Sequence, residues 1–215
     1  MTRPVLLVLA GVNGAGKSSV GGAMLQAQHL HWFNPDEFAR RWMQVARTTP
    51  EQANSIAWRE GLRRLDEAIE RGVSFAFETT LGGRTMTARL RDASATHDVE
   101  VWYCGLGSVE QHIARVQQRV AFGGHDIPEA AIRARYAAAP RNLVRLLPHL
   151  SFLRVYDNGA DVPPGAPVPD PVMVMEVDAG RVVRPRADDA TALEAVPSWA
   201  RPLVQAAFDQ STPRR

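Results

Sequence analysis

Eight consecutive residues carry the clearest chemistry in this chain: Gly11, Val12, Asn13, Gly14, Ala15, Gly16, Lys17 and Ser18. The glycines let the backbone turn tightly enough for successive N–H groups to point into one concavity, which is a cradle for anions. A lysine and a hydroxyl directly after the last glycine complete the Walker A pattern. The chemistry this suits is phosphoryl transfer from ATP. The backbone and side chains of Gly11, Asn13, Gly14, Ala15, Gly16, Lys17, Ser18 and Ser19 would surround the phosphates, Lys17 would reach the β and γ phosphates, and the Ser18 hydroxyl would bind Mg²⁺. All but one of the 25 basic residues are arginine, and the exception is Lys17. A chain that otherwise uses planar guanidinium groups thus has its compact ammonium at the position that must fit between phosphate oxygens.

Other polar groups fall where an open α/β sheet binds ligands, at the carboxyl ends of expected strands. Asp36 follows one such strand and can accept the proton of an attacking hydroxyl; an N-cap of the next helix is the competing role for this residue type. Glu78, Thr79 and Thr80 end another strand. The Phe75-Ala76-Phe77-Glu78 run is the nearest equivalent of a second metal motif, so Glu78 is a candidate for holding either a metal-bound water or the acceptor, and Thr79 and Thr80 for binding the acceptor. The apolar strand ending in Asp-Glu that large ATPase motors carry has no counterpart here. Arg115 and Arg119 are four apart on one helical face, and Arg133 and Arg135 follow after Gly123 and Gly124. Such a helix-loop-helix suits a lid that closes on ATP and neutralises the transferring phosphoryl group, with Arg119 and Arg135 the first choices for catalysis and Arg115 and Arg133 for nucleotide binding. A solvated basic face with salt bridges is the alternative for each of them. His125 lies in the same turn, while His29 and His31 lack metal-ligand spacing.

The elements that must hold these groups alternate between strand and helix, which argues for a mainly parallel sheet with helices on both faces. Strands are expected at 5–10, 29–33, 73–79, 99–106 and 152–156, with Asn34 and Pro35 as turn residues after the second, and helices at 16–28, 108–121 and 128–147, the last interrupted at Pro140. Thr49, Pro50 and Gln52 form a capping-box start for a further helix, in which Trp58, Leu62, Leu65 and Ile69 recur at helical spacing before Gly72 stops it. A proline-rich linker is expected at 162–171, and a terminal β-hairpin at 172–183 turning at 178–180. Residues 185–215 read as a loosely held tail.

Bulk composition narrows the remaining possibilities. At 215 residues and 45% hydrophobic content the chain suits one substantial core. A net charge of +2, spread without a basic block, disfavours a nucleic-acid partner. Cys104 is the lone cysteine, which rules out an intrachain disulfide and fits a reducing compartment. The apolar run at 5–10 is too short for a signal h-region or a membrane span, so a cytoplasmic location with no membrane partner is expected.

Several short motifs, taken together and in order, resemble the zeta toxin family of small-molecule kinases. They are Asn34-Pro35-Asp36-Glu37-Phe38, Phe77-Glu78-Thr79-Thr80-Leu81, Arg115-Val116 with Arg119-Val120, Gly123-Gly124-His125-Asp126-Ile127-Pro128-Glu129, Arg133 to Tyr136, and Tyr156-Asp157-Asn158. The resemblance spans about residues 5–159. It implies a three-layer α/β/α P-loop NTPase fold like that of shikimate and adenylate kinases, with a mainly parallel five-stranded sheet, a helical arginine-bearing lid at about 108–147 and the C-terminal β-hairpin. Residues 1–184 would then be a single P-loop kinase domain and 185–215 a C-terminal tail. It further implies ATP-dependent transfer to a hydroxyl, the 3′-hydroxyl of the sugar of UDP-N-acetylglucosamine foremost, and a small antitoxin protein that blocks the ATP site. A kinase for another small hydroxyl compound, such as a nucleoside, NAD or an antibiotic, and a nucleotide-binding regulatory module are the alternative functions.

Overall fold

The computed structural model describes residues 2–18, 21, 31–122, 124, 126–160 and 169–211. Among these, six strands form one sheet in the order β2-β1-β3-β4-β5-β6. The strands β1 (Val5–Ala10), β2 (Phe75–Thr79), β3 (Asp98–Gly105) and β4 (Phe152–Asp157) run parallel. The hairpin of β5 (Val172–Asp178) and β6 (Arg181–Arg184) then extends the same sheet antiparallel to β4. Its turn holds Ala179 at φ 45° and Gly180 at φ 77°, the two positive values that a tight two-residue hairpin turn requires. Four of the five expected strands are present, the one expected at 29–33 not being a strand of the sheet among its described residues, and the two hairpin strands bring the sheet to six. Of the strand expected at 29–33, Phe33 makes a parallel bridge to Phe77, and residues 29 and 30 lie outside the described residues.

In the parallel part of the sheet both faces are buried at β1 and along most of β3, as a parallel sheet requires. Along β1, Leu6, Val8 and Ala10 enter the larger apolar cluster, while Leu7 and Leu9 enter a second one with Ala15, Trp102, Cys104 and Tyr156. The helices on the described chain are α1 (Pro35–Ala46), α2 (Pro50–Arg71), α3 (Arg84–Ala93), α4 (Val109–Ala121), α5 (Glu129–Leu146), α6 (Ala190–Glu194) and α7 (Arg201–Ser211). Lys17 and Ser18 begin a further helical turn after β1, and most of the helix expected at 16–28, with Ser19, lies outside the described residues.

Helix α2 begins at the expected capping box: Thr49 Oγ1 accepts from Gln52 N, and the Gln52 side chain accepts from Thr49 N. It stops at Gly72 in the left-handed region, φ 61°. Its buried stripe is Ala53, Ala57, Gly61, Leu65 and Ala68, so Trp58, one residue out of phase with that stripe, is half exposed rather than core. The small residues there let the helix approach closely; Phe33 lies against Gly61.

Three local expectations change. Asn34 and Pro35, read as a turn, start α1, since Asn34 Oδ1 accepts from Glu37 N and a proline suits the first helical position. Helix α5 continues through Pro140, with Ile132, Ala139, Leu143 and Leu146 buried on either side of it. The proline removes one backbone donor, and the apolar face holds the helix together across it. Beyond Pro185 the chain packs: Val196, Ala200, Leu203, Val204 and Ala207 belong to the main apolar cluster. Burial of these side chains outweighs the charged and proline-bearing composition that suggested a loose tail. No helix among the described residues is long and apolar enough to cross a membrane. Residues 161–168 of the expected linker lie outside the described residues.

Candidate active site

The parallel registers bring the carboxyl ends of four strands to one edge: Ala10 stands beside Thr79 and Tyr103, and Gly105 beside Asp157. From that edge the loop at 11–18 rises. Gly11 has φ 143° and Gly16 φ 82°, and at both a Cβ would overlap a neighbour, the Cys104 carbonyl at Gly11 and the Asn158 amide at Gly16. Glycine is required at these two positions by backbone conformation and by close approach together. Ala15 N donates to Val12 O at 3.1 Å, and Lys17 Nζ lies 3.4 Å from the same oxygen, so the ammonium folds back over its own loop.

Four other segments hold this loop in shape. Asn158, directly after β4, donates from Nδ2 to Ala15 O at 2.9 Å. His112 on α4 approaches Asn13 O with Nδ1 at 2.8 Å, and Arg135 on α5 donates from Nη1 to Asn13 Oδ1 at 2.7 Å. The fourth contact is that of Cys104 on β3 with Gly11. His112 and Asn158 were not among the expected site residues. Asn158 had a legible signal, a polar residue at the carboxyl end of a strand, and so did His112, which lies three after Val109 and four before Val116 on the apolar face of α4.

A carbonyl oxygen can only accept, so His112 Nδ1 carries the proton of a neutral ring. Burial pushes its pKa down to about 4; the bond to Asn13 opposes this, and Lys17 and Arg115 add to it. Because the folded-state value lies below the ordinary one near 6.5, the unfolded chain binds the extra proton, and stability is lost as pH falls from about 6.5 towards 4. Between pH 7 and pH 5 this costs about 2 kcal/mol. Urea midpoints measured at the two pH values should therefore fall less in His112→Gln than in the parent protein.

Glu78 is the hub of the next group. It is buried, with 6% of its surface exposed, and accepts from Trp32 Nε1 at 2.9 Å, Asn34 Nδ2 at 3.0 Å and Ser18 Oγ at 3.2 Å. Asn34 Nδ2 also lies 3.3 Å from Ser18 Oγ. One carboxylate thus joins the end of β2, the start of α1 and the phosphate loop. Trp32, the third donor, was not anticipated. Among the described residues no group of three or more His, Cys, Asp or Glu is arranged to hold a metal. A hydroxyl and a carboxylate side by side do fit Mg²⁺ that takes its remaining oxygens from phosphates and water, the usual way this ion is bound.

Asp36 is the second residue of α1. Because Asn34 caps the helix, the competing capping role for Asp36 falls away. Its Oδ2 instead faces Arg119 Nη1 from α4 at 3.4 Å. Arg135 is the more enclosed arginine: burial pushes its pKa down and the Asp36 carboxylate pushes it back up. Its stem packs on Gly82, where a Cβ would come within 2.8 Å of Arg135 Cγ. The adjoining Leu81 is fully buried at φ 52°, an unusual backbone for a bulky residue, and its carbonyl accepts from Asn142 Nδ2 at 2.8 Å. This strained turn carries Thr79 and Thr80 past the site; Thr79 Oγ1 accepts from Leu81 N at 3.1 Å.

The remaining lid arginines separate. Arg115 donates to Ala160 O at 3.2 Å, beyond the phosphate loop on the β4 side. Arg133 bonds to Glu129 and Glu110 on an exposed face, which matches the solvated alternative. The structure brings Lys17, Ser18, Glu78, Asp36, Arg119 and Arg135 into one connected group and leaves Arg133 outside it. Gly123 and His125 lie outside the described residues.

A family model described as zeta toxin matches residues 1–161. An uncharacterised protein of Haemophilus influenzae is 32% identical over 127 residues, covering 59% of this chain and 88% of the relative. Among solved structures, the AvrRxo1-ORF1 and AvrRxo1-ORF2 crystal structure with ATP aligns with a TM-score of 0.67 at 18% identity, over 92% of this chain and 64% of that one. The chain therefore spans just under two thirds of that neighbour's length. A chain from the PezAT chromosomal toxin-antitoxin system of Streptococcus pneumoniae aligns with a TM-score of 0.53 at 12% identity, over 73% of this chain and 68% of that one. At such identities these two solved structures share the fold.

Proposed function

The chain belongs to the zeta toxin family, and we propose that it is an ATP-dependent small-molecule kinase that transfers the γ-phosphoryl group to a hydroxyl of a UDP-sugar, the 3′-hydroxyl of UDP-N-acetylglucosamine first among them. The observation that carries this reading is the connection of Asp36 to the phosphate loop from two sides. Asn34, two residues before it, reaches Ser18 and Glu78, and Arg135, which interacts with the Asp36 carboxylate, donates to Asn13 of the loop.

In this reading the loop amides and Lys17 hold the β and γ phosphates. Ser18 and Glu78 offer oxygens to Mg²⁺, which when bound neutralises charge on those phosphates. Asp36 takes the proton of the acceptor hydroxyl as that oxygen bonds to the γ phosphorus. The bond from phosphorus to the β–γ bridging oxygen breaks, and its electron pair leaves with ADP. Arg119 and Arg135 balance negative charge on the group in transit. Thr80 stands at the exit of β2 on the acceptor side, and Arg115 beside Ala160 on the nucleotide side. A small antitoxin that covers the ATP site is the protein partner this reading implies; the solved neighbour from a toxin-antitoxin system supports it.

The test is product analysis. Incubation with ATP, Mg²⁺ and a panel of UDP-sugars and nucleosides, followed by ³¹P NMR, is expected to give a new phosphomonoester resonance with UDP-N-acetylglucosamine. A phosphomonoester formed on a nucleoside instead would replace the acceptor, and ADP release with no phosphorylated acceptor would overturn the kinase reading.

A further inference from the structure

Trp199 lies beyond the segment that the family model matches, yet it touches the strand ends from which the phosphate loop is braced. Its indole lies against Gly105 so closely that a Cβ at that position would overlap the ring. Its Nε1 donates to Asp157 Oδ1 at 3.1 Å, and the same oxygen accepts from Gly159 N at 3.2 Å. Between these two bonded residues stands Asn158. Its backbone N donates to Gly105 O at 3.0 Å, and its side chain makes the 2.9 Å bond to Ala15 O inside the loop. The Asn158 and Gly159 amides therefore bond to Gly105 and Asp157, and Trp199 contacts both, while Gln111 and Arg115 of α4 hold the carbonyls of Gly159 and Ala160 further on.

The segment that carries Trp199 is itself anchored. Val196 and Ala200 on either side are in the main apolar cluster with Leu203, Val204 and Ala207 of α7, and the indole meets Tyr103 with ring centroids 6.3 Å apart. A rigidly packed residue that donates one directed hydrogen bond can position a neighbour, and a buried amide that holds a loop carbonyl transmits that position.

We propose that Trp199 is a positioning residue for the nucleotide site: by fixing Asp157 and Gly105 it holds Asn158 against Ala15 and so keeps the phosphate loop in its binding shape. The C-terminal segment is then a working part of the nucleotide site. This rests on the loop binding nucleotide, as argued above, but the coupling itself can be read without any ligand.

The test uses Trp199→Phe, which keeps a ring on Gly105 and removes the N–H donor, with Asp157→Ala and the double variant. In hydrogen–deuterium exchange on the full chain without nucleotide, the variants should exchange faster in peptides covering 11–18 and 157–160 than the parent. Faster exchange confined to 190–211 would overturn the coupling and leave Trp199 a packing residue. ADP titrated by calorimetry should bind about five- to tenfold more weakly to each single variant, the scale of one lost hydrogen bond to a charged group partly transmitted. The double variant should be no weaker than the singles, since both cut the same link, whereas additive losses would overturn it. A parent protein that binds no ADP would sink the kinase reading while the exchange data still judged the coupling.

Discussion

Asp36→Asn is expected to slow phosphoryl transfer by ~10²–10⁴-fold, the range for loss of a general base. The melting temperature should stay within about two degrees of the parent, for three structural reasons. The α1 cap is Asn34, so the substitution removes no capping bond. The Asp36 side chain is 45% exposed, so no buried space changes. Its partner Arg119 is also on the exposed side, and such a pair contributes only ~0–1 kcal/mol. Asparagine keeps the shape and a hydrogen-bonding oxygen while removing the capacity to take a proton. Turnover measured as ADP release with the acceptor, beside a thermal melt, separates the possibilities, and near-normal turnover in a folded variant would remove Asp36 from the chemistry.

Arg135→Ala should have an effect at least as large, a loss of ~10³-fold or more in turnover, as for arginines that neutralise a transferring phosphoryl group. Its enclosed guanidinium sits between Asn13 of the phosphate loop and the Asp36 carboxylate, where charge is least screened by solvent. Nucleotide affinity should fall too, by about tenfold, because the bond to Asn13 Oδ1 goes with it. Lysine should restore charge but not the planar donor fork, leaving Arg135→Lys well short of the parent. Arg133→Ala is the control on the same helix: its salt bridges to Glu110 and Glu129 are exposed, and its turnover should change less than about threefold. Equal losses at Arg133 and Arg135 would point to a general effect of lid charge in place of a placed guanidinium.

The phosphate loop and the strand–helix alternation were legible because each depends on residues adjacent in the chain. Lys17 and Ser18 follow the last loop glycine directly, and the Thr49-Gln52 capping box closes within four positions. The same short range misled at Asn34-Pro35, where a turn and a helix start share their residue types. At Trp58 the expected helix forms, but its buried stripe runs through the small residues beside Trp58. Among the lid arginines, periodicity put Arg115 with Arg119 and Arg133 near Arg135. It could not tell which guanidinium would reach the loop and which would meet Glu110, because that depends on how α4 and α5 pack over the sheet edge.

By itself, the order of residues determined a glycine-rich loop of the Walker A pattern and the parallel α/β scaffold that presents it, since backbone turns, caps and strand runs are local properties of the chain. Tertiary structure alone decided that Glu78 joins Ser18 to Asn34, that His112 and Asn158 brace the loop, and that Trp199 reaches the same edge from about forty residues past it. These are contacts between residues 42 to 143 positions apart, and their partners are set by strand register and helix packing across the whole sheet, which no short window of residues contains.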